Sequence, residues 1–352
     1  MAYTTIDDPT AFFQCTLYTG NGSNRSITNT GNSDLQPDFT WLKARSESEY
    51  NMFYDVVRGA TKGLSSDLSA AEATYSDGLT AFGSDGFSLG TSNGINRNNT
   101  TYVSWNWKAG TSFTNDASST SIGSIDSVGS ASDVSGFSIV TTTGTGSAGT
   151  IKHGLSTAPA MIIGKRRDAD NSNWRVYHKD LSSNSHILYL DTTSAEEGSN
   201  SATWNNTTPT TSVFSVGNSG DVNASGATIV FYCFAEKQGY SKFGTYTGNG
   251  NANGPFVYTG FKPAWVLCKK SSATGDWELY DNKRNGFNGG NVRVIPNAND
   301  AESGVGRLSL LSNGFKITTS SGNLNTDGAD YIYMAFAESP FVTSTGIPTT
   351  AR

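Results

Sequence analysis

One short sequence recurs three times along the chain, and this repetition constrains the fold more than any other feature. Tyr18–Gly22 reads YTGNG, Tyr246–Gly250 repeats it unchanged, and Thr142–Gly146 is a looser copy. Each copy is followed by a proline that opens an apolar run and by a lysine six residues after that proline; the runs are Pro37–Lys43, Pro159–Lys165 and Pro263–Lys269. Ordered self-similarity of this kind is the signature of a repeated structural unit. We therefore expect three diverged copies of one module.

Further landmarks keep the same order in every copy. Each has a tyrosine, then an acidic or amide residue five positions before a glutamate, then a phenylalanine and an aromatic closing strand. They are Tyr54, Asp67, Glu72, Phe87 and Tyr102–Trp107; Tyr177, Asp191, Glu196, Phe214 and Ile229–Phe234; and Tyr280, Asn297, Glu302, Phe315 and Tyr331–Phe336. The order sets module 1 at 12–109, module 2 at 134–238 and module 3 at 239–342.

The remaining segments lie outside the repeat. Residues 110–133 are rich in Ser, Thr and Gly, which predicts a flexible or extended linker. The polar tail, 343–352, is expected to be loose. The acidic N-terminal arm, 1–11, is expected to dock on another protein of an assembly. Modules 2 and 3 have almost no spacer between them, so we expect them to pack closely.

Within each module the pattern is that of strands. Apolar or alternating stretches of four to eight residues are separated by Gly-Asn, Asp-Gly and Ser-Gly turns. The proline-headed runs are nearly continuous in apolar character, as in a central strand with both faces covered. Asp67–Tyr75 is the best helix candidate, and we interpret it as a turn. The expected fold is all-β, with tandem antiparallel β-sandwich modules of jelly-roll or lectin-like type.

Composition and charge exclude some classes of partner. The chain has 24 Lys plus Arg against 30 Asp plus Glu, a net charge of −6, so it lacks a broad basic footprint for nucleic acid. No apolar run reaches the ~18 residues of a spanning helix, and the N-terminus lacks a secretory signal pattern. We expect synthesis in the cytoplasm without membrane insertion. Cys15, Cys233 and Cys268 are too dispersed for a disulfide framework and are expected to be buried.

Two acidic pairs are the candidates for chemistry. Asp67 with Glu72, and Asp191 with Glu196, have the residue types of a glycoside hydrolase, which needs two carboxylates flanking a cleft. However, the pair recurs between copies, and Asn297 takes the place of the aspartate in the third. A recurring acidic turn more often caps backbone amides, with calcium or ligand contact as the alternative. We predict no enzyme activity and no cofactor.

The histidines and tryptophans have structural interpretations as well. His153, His178 and His186 all fall in module 2 without metal-ligand spacing, and we interpret them as local substitutions. Most tryptophans lie in landmark strands and are expected in the core. Trp204 lies in a loop-like stretch specific to module 2, and we expect its ring to be the most exposed. Trp204 and the four acidic residues named above are the candidate contacts for a partner or glycan.

Several short sequence segments, taken together, resemble those of a known protein family. They are Tyr18–Gly22 with its returns, Asp55–Gly59, Leu64–Asp67, Ser84–Phe87, Tyr102–Trp105, Trp107–Gly110 and Gly239–Phe243. From about Phe12 to Phe341 the chain resembles repeat modules in virion proteins of marine tailed bacteriophages, including those that infect cyanobacteria. Such proteins are usually described as tail fibre, appendage or structural proteins. The third module differs from this pattern at Lys283–Gly286, where the Arg-Gly pair that ends Asp55–Gly59 in the first module is missing.

The resemblance implies a location in the virion, with capsid or tail proteins as partners. The expected function is a non-enzymatic virion surface structural protein, either a capsid decoration or a tail-associated appendage or fibre. The alternative is a carbohydrate-binding adhesin that recognises host surface glycans. Only a short arm precedes module 1 and heptads are absent, which favours a compact unit over a long fibre. Open sheet edges of repeated β-modules favour a homo-oligomer.

Overall fold

The computed structural model describes residues 2–284, 291–304 and 306–349. Strands dominate the described chain, and each helix is about one turn long. The helical pieces are a 3₁₀ turn at Pro9–Ala11 and the helices α1 (Asn93–Asn96), α2 (Ala117–Thr120), α3 (Ser201–Trp204) and α4 (Gly322–Asn325). The all-β, antiparallel prediction is confirmed. No helix of the described ranges is long and apolar enough to cross a membrane.

The strands form three consecutive units along the chain. The first unit contains β1 (Phe13–Thr19), β2 (Arg25–Thr28), β3 (Phe39–Ala44), β4 (Met52–Asp55), β5 (Lys62–Ser65), β6 (Ala73–Thr74), β7 (Leu79–Gly83), β8 (Gly86–Leu89) and β9 (Thr101–Trp107). The second contains β10 (Thr111–Asn115), β11 (Ser127–Ser132), β12 (Phe137–Thr143), β13 (Gly149–Lys152), β14 (Met161–Arg166), β15 (Arg175–His178), β16 (Leu188–Tyr189), β17 (Val213–Val216) and β18 (Thr228–Phe234). The third contains β19 (Ser241–Thr247), β20 (Phe256–Tyr258), β21 (Phe261–Lys270), β22 (Trp277–Asp281), β23 (Val292–Arg293), β24 (Ser303–Gly304), β25 (Leu308–Leu311), β26 (Gly314–Ile317) and β27 (Asp330–Pro340).

Each unit has one large sheet, and four strands keep the same order in all three. The orders are β1-β9-β3-β4, β12-β18-β14-β15 and β19-β27-β21-β22, with antiparallel pairing throughout. The aromatic closing strand is therefore central, next to the strand that contains or follows the landmark proline. Residues 39–44 of β3 are all buried, and β14 and β21 are buried over nearly their whole length. Continuous apolar runs form these strands because both of their faces are covered.

A small sheet covers the outer face of each large sheet. The small sheets are β2-β8-β7, β13-β17 and β20-β26-β25. In each, the landmark phenylalanine pairs with an apolar residue of the neighbouring strand: Phe87 with Ile27, Phe214 with Ile151 and Phe315 with Val257. Each unit thus encloses a core of its own between a large and a small sheet. These are the packed antiparallel layers that the strand pattern predicts.

The inner faces of the three large sheets meet in one common core. Trp107 of β9 lies 5.6 Å from Trp265 of β21, and Phe234 of β18 lies 6.1 Å from Phe336 of β27, measured between ring centroids. Such edge-to-face pairs are favourable beyond their buried area, by roughly 0.5–1.5 kcal/mol each. The tryptophans of the landmark strands and all three cysteines are buried, as predicted. Because the core is shared, the three units form one packed body.

Residues 110–133 do not form the flexible or extended linker that their composition suggested. β10 and β11 add to the free edge of β12, giving the order β10-β11-β12. Asp116 caps α2 between them by accepting hydrogen bonds from the amides of Ser118 and Ser119 at 3.0 and 3.1 Å. Serine, threonine and glycine are compatible with a solvated edge hairpin as well as with a linker, and sheet pairing decides between the two.

The N-terminal arm contacts the end of the second unit, the common core and the tail. Thr4 Oγ1 donates to the carbonyl of Gln238 at 2.8 Å, and Ile6 is buried in the common core. Asp7 accepts a hydrogen bond from the amide of Ser344 at 2.6 Å, so arm and tail hold each other. The arm makes its contacts within its own chain, and the described part of the tail hydrogen-bonds to the arm. Residues 350–352 lie outside the described residues.

Candidate functional site at the seams between the sheets

The first candidate acid of each pair caps a backbone amide. Asp67 accepts from the amide of Asn51 at 2.9 Å, and Asp191 accepts from that of Trp174 at 3.2 Å. Asn297 accepts from the amide of Trp277 at 2.8 Å with its side-chain oxygen. Burial raises the pKa of Asp191 to about 6 and raises that of Asp67 as well. An amide oxygen does the same work as a carboxylate here, since capping requires only an acceptor.

The lysines that end the proline-headed runs bridge the units. Lys43 Nζ of the first unit donates to the carbonyl of Asn299 in the third unit at 2.9 Å. Lys165 Nζ of the second unit donates to the carbonyl of Ser69 in the first unit at 3.0 Å. Lys269 Nζ of the third unit donates to the carbonyl of Thr193 in the second unit at 3.0 Å. Each also donates to a carbonyl of its own unit. All three are fully buried, and burial lowers the pKa of each to about 8. The contacts run from first to third, second to first and third to second unit, which closes a ring.

We call these three contact regions between units, marked by Lys43, Lys165 and Lys269, the seams. The glutamates of the candidate pairs lie at the same seams. The amide of Glu72 donates to the carbonyl of Arg167 at 2.7 Å, that of Glu302 to Arg45 at 2.9 Å, and that of Glu196 to Ser271 at 2.8 Å. These three acceptors each lie two residues after a bridging lysine. The main chain of each unit is therefore bonded to that of the next.

Ion pairs reinforce two of the three seams. The carboxylate of Glu72 contacts Arg58 of its own unit and Arg167 of the second, both at 2.9 Å. Burial opposes its ionisation, but the two guanidinium groups outweigh burial and hold the pKa of Glu72 below its usual range. Glu302 pairs with Arg45 at 2.8 Å across the seam between the third and first units. Ser271 replaces the arginine at the remaining seam, where Glu196 contacts Ser182 and His186 of its own unit.

A buried acid faces each of the two arginine-reinforced seams. Asp55 pairs with Arg58 at 2.5 Å and accepts from the Tyr232 hydroxyl of the second unit at 2.8 Å. In the third unit Asp281 pairs with Arg284 at 2.6 Å and accepts from Trp105 Nε1 of the first unit at 3.0 Å. Sequence reasoning missed these pairs, although an arginine three residues after Tyr-Asp in two copies was a usable signal.

The second unit has a neutral substitute for this ion pair. His178 and Leu181 take the places of the aspartate and arginine. The imidazole spans the seam, with Nε2 3.3 Å from the carbonyl of Tyr333 and Nδ1 3.2 Å from the amide of Asp180. Burial lowers the pKa of His178 to about 4. The ring is therefore neutral near pH 7, as a buried site without a carboxylate partner requires.

The prediction that Trp204 is exposed is wrong. Its ring is 2% exposed and lies among Tyr177, Phe214 and Phe231, with centroid distances of 6.3 to 6.5 Å. The surrounding polar sequence forms α3, a single turn that places the ring over the end of the second unit's core. An indole can cover such a core edge while the neighbouring polar residues remain in solvent. Trp204 is therefore not available as a contact for a partner or glycan.

The described residues do not assemble the side chains of a metal centre. No group of three or more His, Cys, Asp or Glu side chains at metal-binding distance occurs within the described ranges. An open groove of about 620 Å³ beside β10 and β11 contains Asp116 and Asp126, but both carboxylates cap amides around α2. Asp67, Glu72, Asp191 and Glu196 are likewise held by amides, hydroxyls or guanidinium groups. What this arrangement does is lock three sheets together.

Residues 8–340 match a family model described as Domain of unknown function (DUF7483). The match spans far more than half of the chain, so the chain belongs to that family. It covers all three units. No curated protein matches the chain.

Proposed function

We propose that this member of the DUF7483 family is a non-enzymatic surface structural protein of a tailed-bacteriophage virion, either a capsid decoration or a tail-associated appendage. One observation carries the non-enzymatic part: Asp67, Glu72, Asp191 and Glu196 are all engaged in holding turns and seams. The virion location is supported by the resemblance of the repeated sequence words.

We also infer that the three units are diverged copies of one module. The shared strand order supports this, as do the amide caps of Asp67, Asp191 and Asn297. The cyclic lysine contacts add a third kind of repetition, in bonds between units. A gene-internal triplication explains all three, because each copy inherits both its fold and its contact to a neighbour.

The ring of seams suits a protein that must stay folded outside the cell. Each unit is bonded to both others through buried side chains and main-chain hydrogen bonds, so few segments open without breaking the shared core. On a virion we expect several copies on a symmetric site, where many weak contacts to capsid or tail proteins add up. β1 and β19 are the last strands of their large sheets, and we expect such edges to take part in these contacts.

The test uses purified particles of a phage whose genome encodes the chain. Mass spectrometry should detect the protein in gradient-purified virions, and cryo-electron microscopy should place its three-sheet body on the capsid or tail. Absence from the particles would contradict the virion role. Cleavage of a host glycan by the wild-type protein, abolished by Glu72→Gln, would contradict the non-enzymatic role.

A carbohydrate-binding adhesin is the second candidate. Trp204 and the four acidic residues do not support it, since they are engaged within the chain. The observation in its favour is a pair of exposed rings elsewhere, Phe256 and Tyr258, on the outer sheet of the third unit.

A further inference from the structure

Two aromatic rings project from the solvent face of the third unit's small sheet. Phe256 and Tyr258 are 47% and 55% exposed, while Val257 between them points inward and pairs with Phe315. Alternation along a strand places both rings on one face. The positions that flank the corresponding apolar residue are Ser26 and Thr28 in β2 and Thr150 and Lys152 in β13. The fold therefore does not require aromatic residues at these positions.

The rings lie beside the backbone of β26, next to a glycine. Tyr258 is the register partner of Gly314, and Phe256 that of Lys316. A Cβ atom on Gly314 would lie 3.1 Å from Cε2 of Phe256, and 2.1 Å from the carbonyl oxygen of Val257, so only glycine fits there. Lys316 Nζ donates to Asn253 Oδ1 beside the rings.

The N-terminal arm extends this surface at the Tyr258 end. The hydroxyls of Tyr3 and Tyr258 would lie 2.7 and 3.6 Å from a Cβ atom on Gly260, so both stand beside this residue. Phe341 is 37% exposed, with its ring centroid 6.4 Å from that of Tyr3. We call Tyr3, Phe256, Tyr258 and Phe341 the aromatic platform.

The size and chemistry of the platform select its occupant. Phe256 and Tyr258, each about half exposed, offer roughly 200 Å² of ring surface, because such a side chain buries ~150–250 Å² when fully covered. A stable protein–protein interface needs about 800 Å² from each partner, so this patch is too small to be one by itself. The C–H face of a sugar ring matches the negative face of an aromatic ring, and hydroxyl, amide and ammonium groups at the margin match sugar hydroxyls.

We propose that the aromatic platform is a binding site for a neutral glycan chain, with sugar rings stacked on Tyr258 and Phe256. The site does not depend on where the protein is located; it rests on the carbohydrate-binding candidate of the proposed function and deepens it by naming the residues and the class of glycan. It also explains why only the third unit has rings at these two positions.

The test is saturation-transfer difference NMR on the full-length protein with neutral hexasaccharides of β-1,4-linked glucose, β-1,4-linked N-acetylglucosamine, α-1,4-linked glucose and α-1,6-linked mannose. At least one should receive saturation from aromatic protons. Phe256→Ser and Tyr258→Thr introduce the residues of the first unit at these positions, so both variants should fold. Each should weaken binding about tenfold, the equivalent of ~1.4 kcal/mol. Tyr50→Thr, which removes an exposed ring from the first unit, is the matched control and should bind as the wild type does.

Two results would overturn the proposal. One is the absence of saturation transfer to all four probes, or transfer that neither platform substitution reduces. The other is a concentration-dependent dimer, detected by light scattering, that both substitutions abolish. That result would assign the platform to a second copy of the chain. Neither result affects the virion role, which the particle experiment tests separately.

Discussion

Replacing a bridging lysine with methionine removes a seam contact with little change in side-chain length. In Lys165→Met, the carbonyls of Ser69 and Ser172 lose the ammonium that binds both. An orphaned buried carbonyl costs ~1–3 kcal/mol. The carbonyl of Ser69 still accepts from the amide of Ser172 at 3.1 Å, so only the carbonyl of Ser172 is orphaned and we expect a loss of about 1–3 kcal/mol in the free energy of unfolding. Urea titration followed by tryptophan near-UV circular dichroism measures this loss.

The matched control is Lys62→Met, which removes a single exposed hydrogen bond to Thr74 and should change stability by about 0.5 kcal/mol or less.

The buried ammonium of Lys165 also predicts that the free energy of unfolding depends on pH. Burial lowers the pKa of Lys165 to about 8, below its unfolded value, so the unfolded chain binds more protons between those values. The wild type should therefore gain stability as the pH rises from about 8 towards 10, and Lys165→Met should gain less. A variant as stable as the control would refute the assignment of Lys165 to the seam.

Three further predictions concern other buried groups. Asp67→Asn keeps the acceptor for the Asn51 amide and should leave the urea midpoint nearly unchanged, whereas Asp67→Ala should lose about 1 kcal/mol; equal losses would contradict the capping role. His178 has its pKa lowered from 6.5 to about 4, so stability should fall by up to roughly 3 kcal/mol as the pH drops through that window, and His178→Gln should flatten this part of the profile. Trp204→Ala should cost about 3–5 kcal/mol by calorimetry, and a near-neutral result would indicate an exposed ring.

The central strands of the large sheets could be predicted because local sequence determines them. Proline is tolerated at the first position of a strand, so a proline at or before an apolar run is compatible with a strand that starts there. A run that is apolar at nearly every position predicts a strand that is buried on both faces. The positions of β3, β14 and β21 follow from this pattern alone. The capping role of Asp67 was also accessible, since a carboxylate exchanged for an amide between copies points to an acceptor rather than to a proton donor.

The shared core was not predictable in the same way. Periodicity shows that a face is buried, but it does not show whether a small sheet or another unit covers it. The bridging lysines illustrate the difficulty: a lysine at the end of an apolar run is usually a solvated strand end, yet Lys43, Lys165 and Lys269 are enclosed by carbonyls of two units. Composition also misled for residues 110–133 and for Trp204, because edge pairing and core cover depend on distant residues.

The closed ring of units is the central claim, and scanning calorimetry tests it most directly. Units that share one core and three hydrogen-bonded seams should unfold together, so the full chain should show a single transition with a calorimetric enthalpy equal to the van't Hoff enthalpy. Separate transitions, or a van't Hoff enthalpy about one third of the calorimetric value, would mean that the units unfold independently and that the seams do not hold them together.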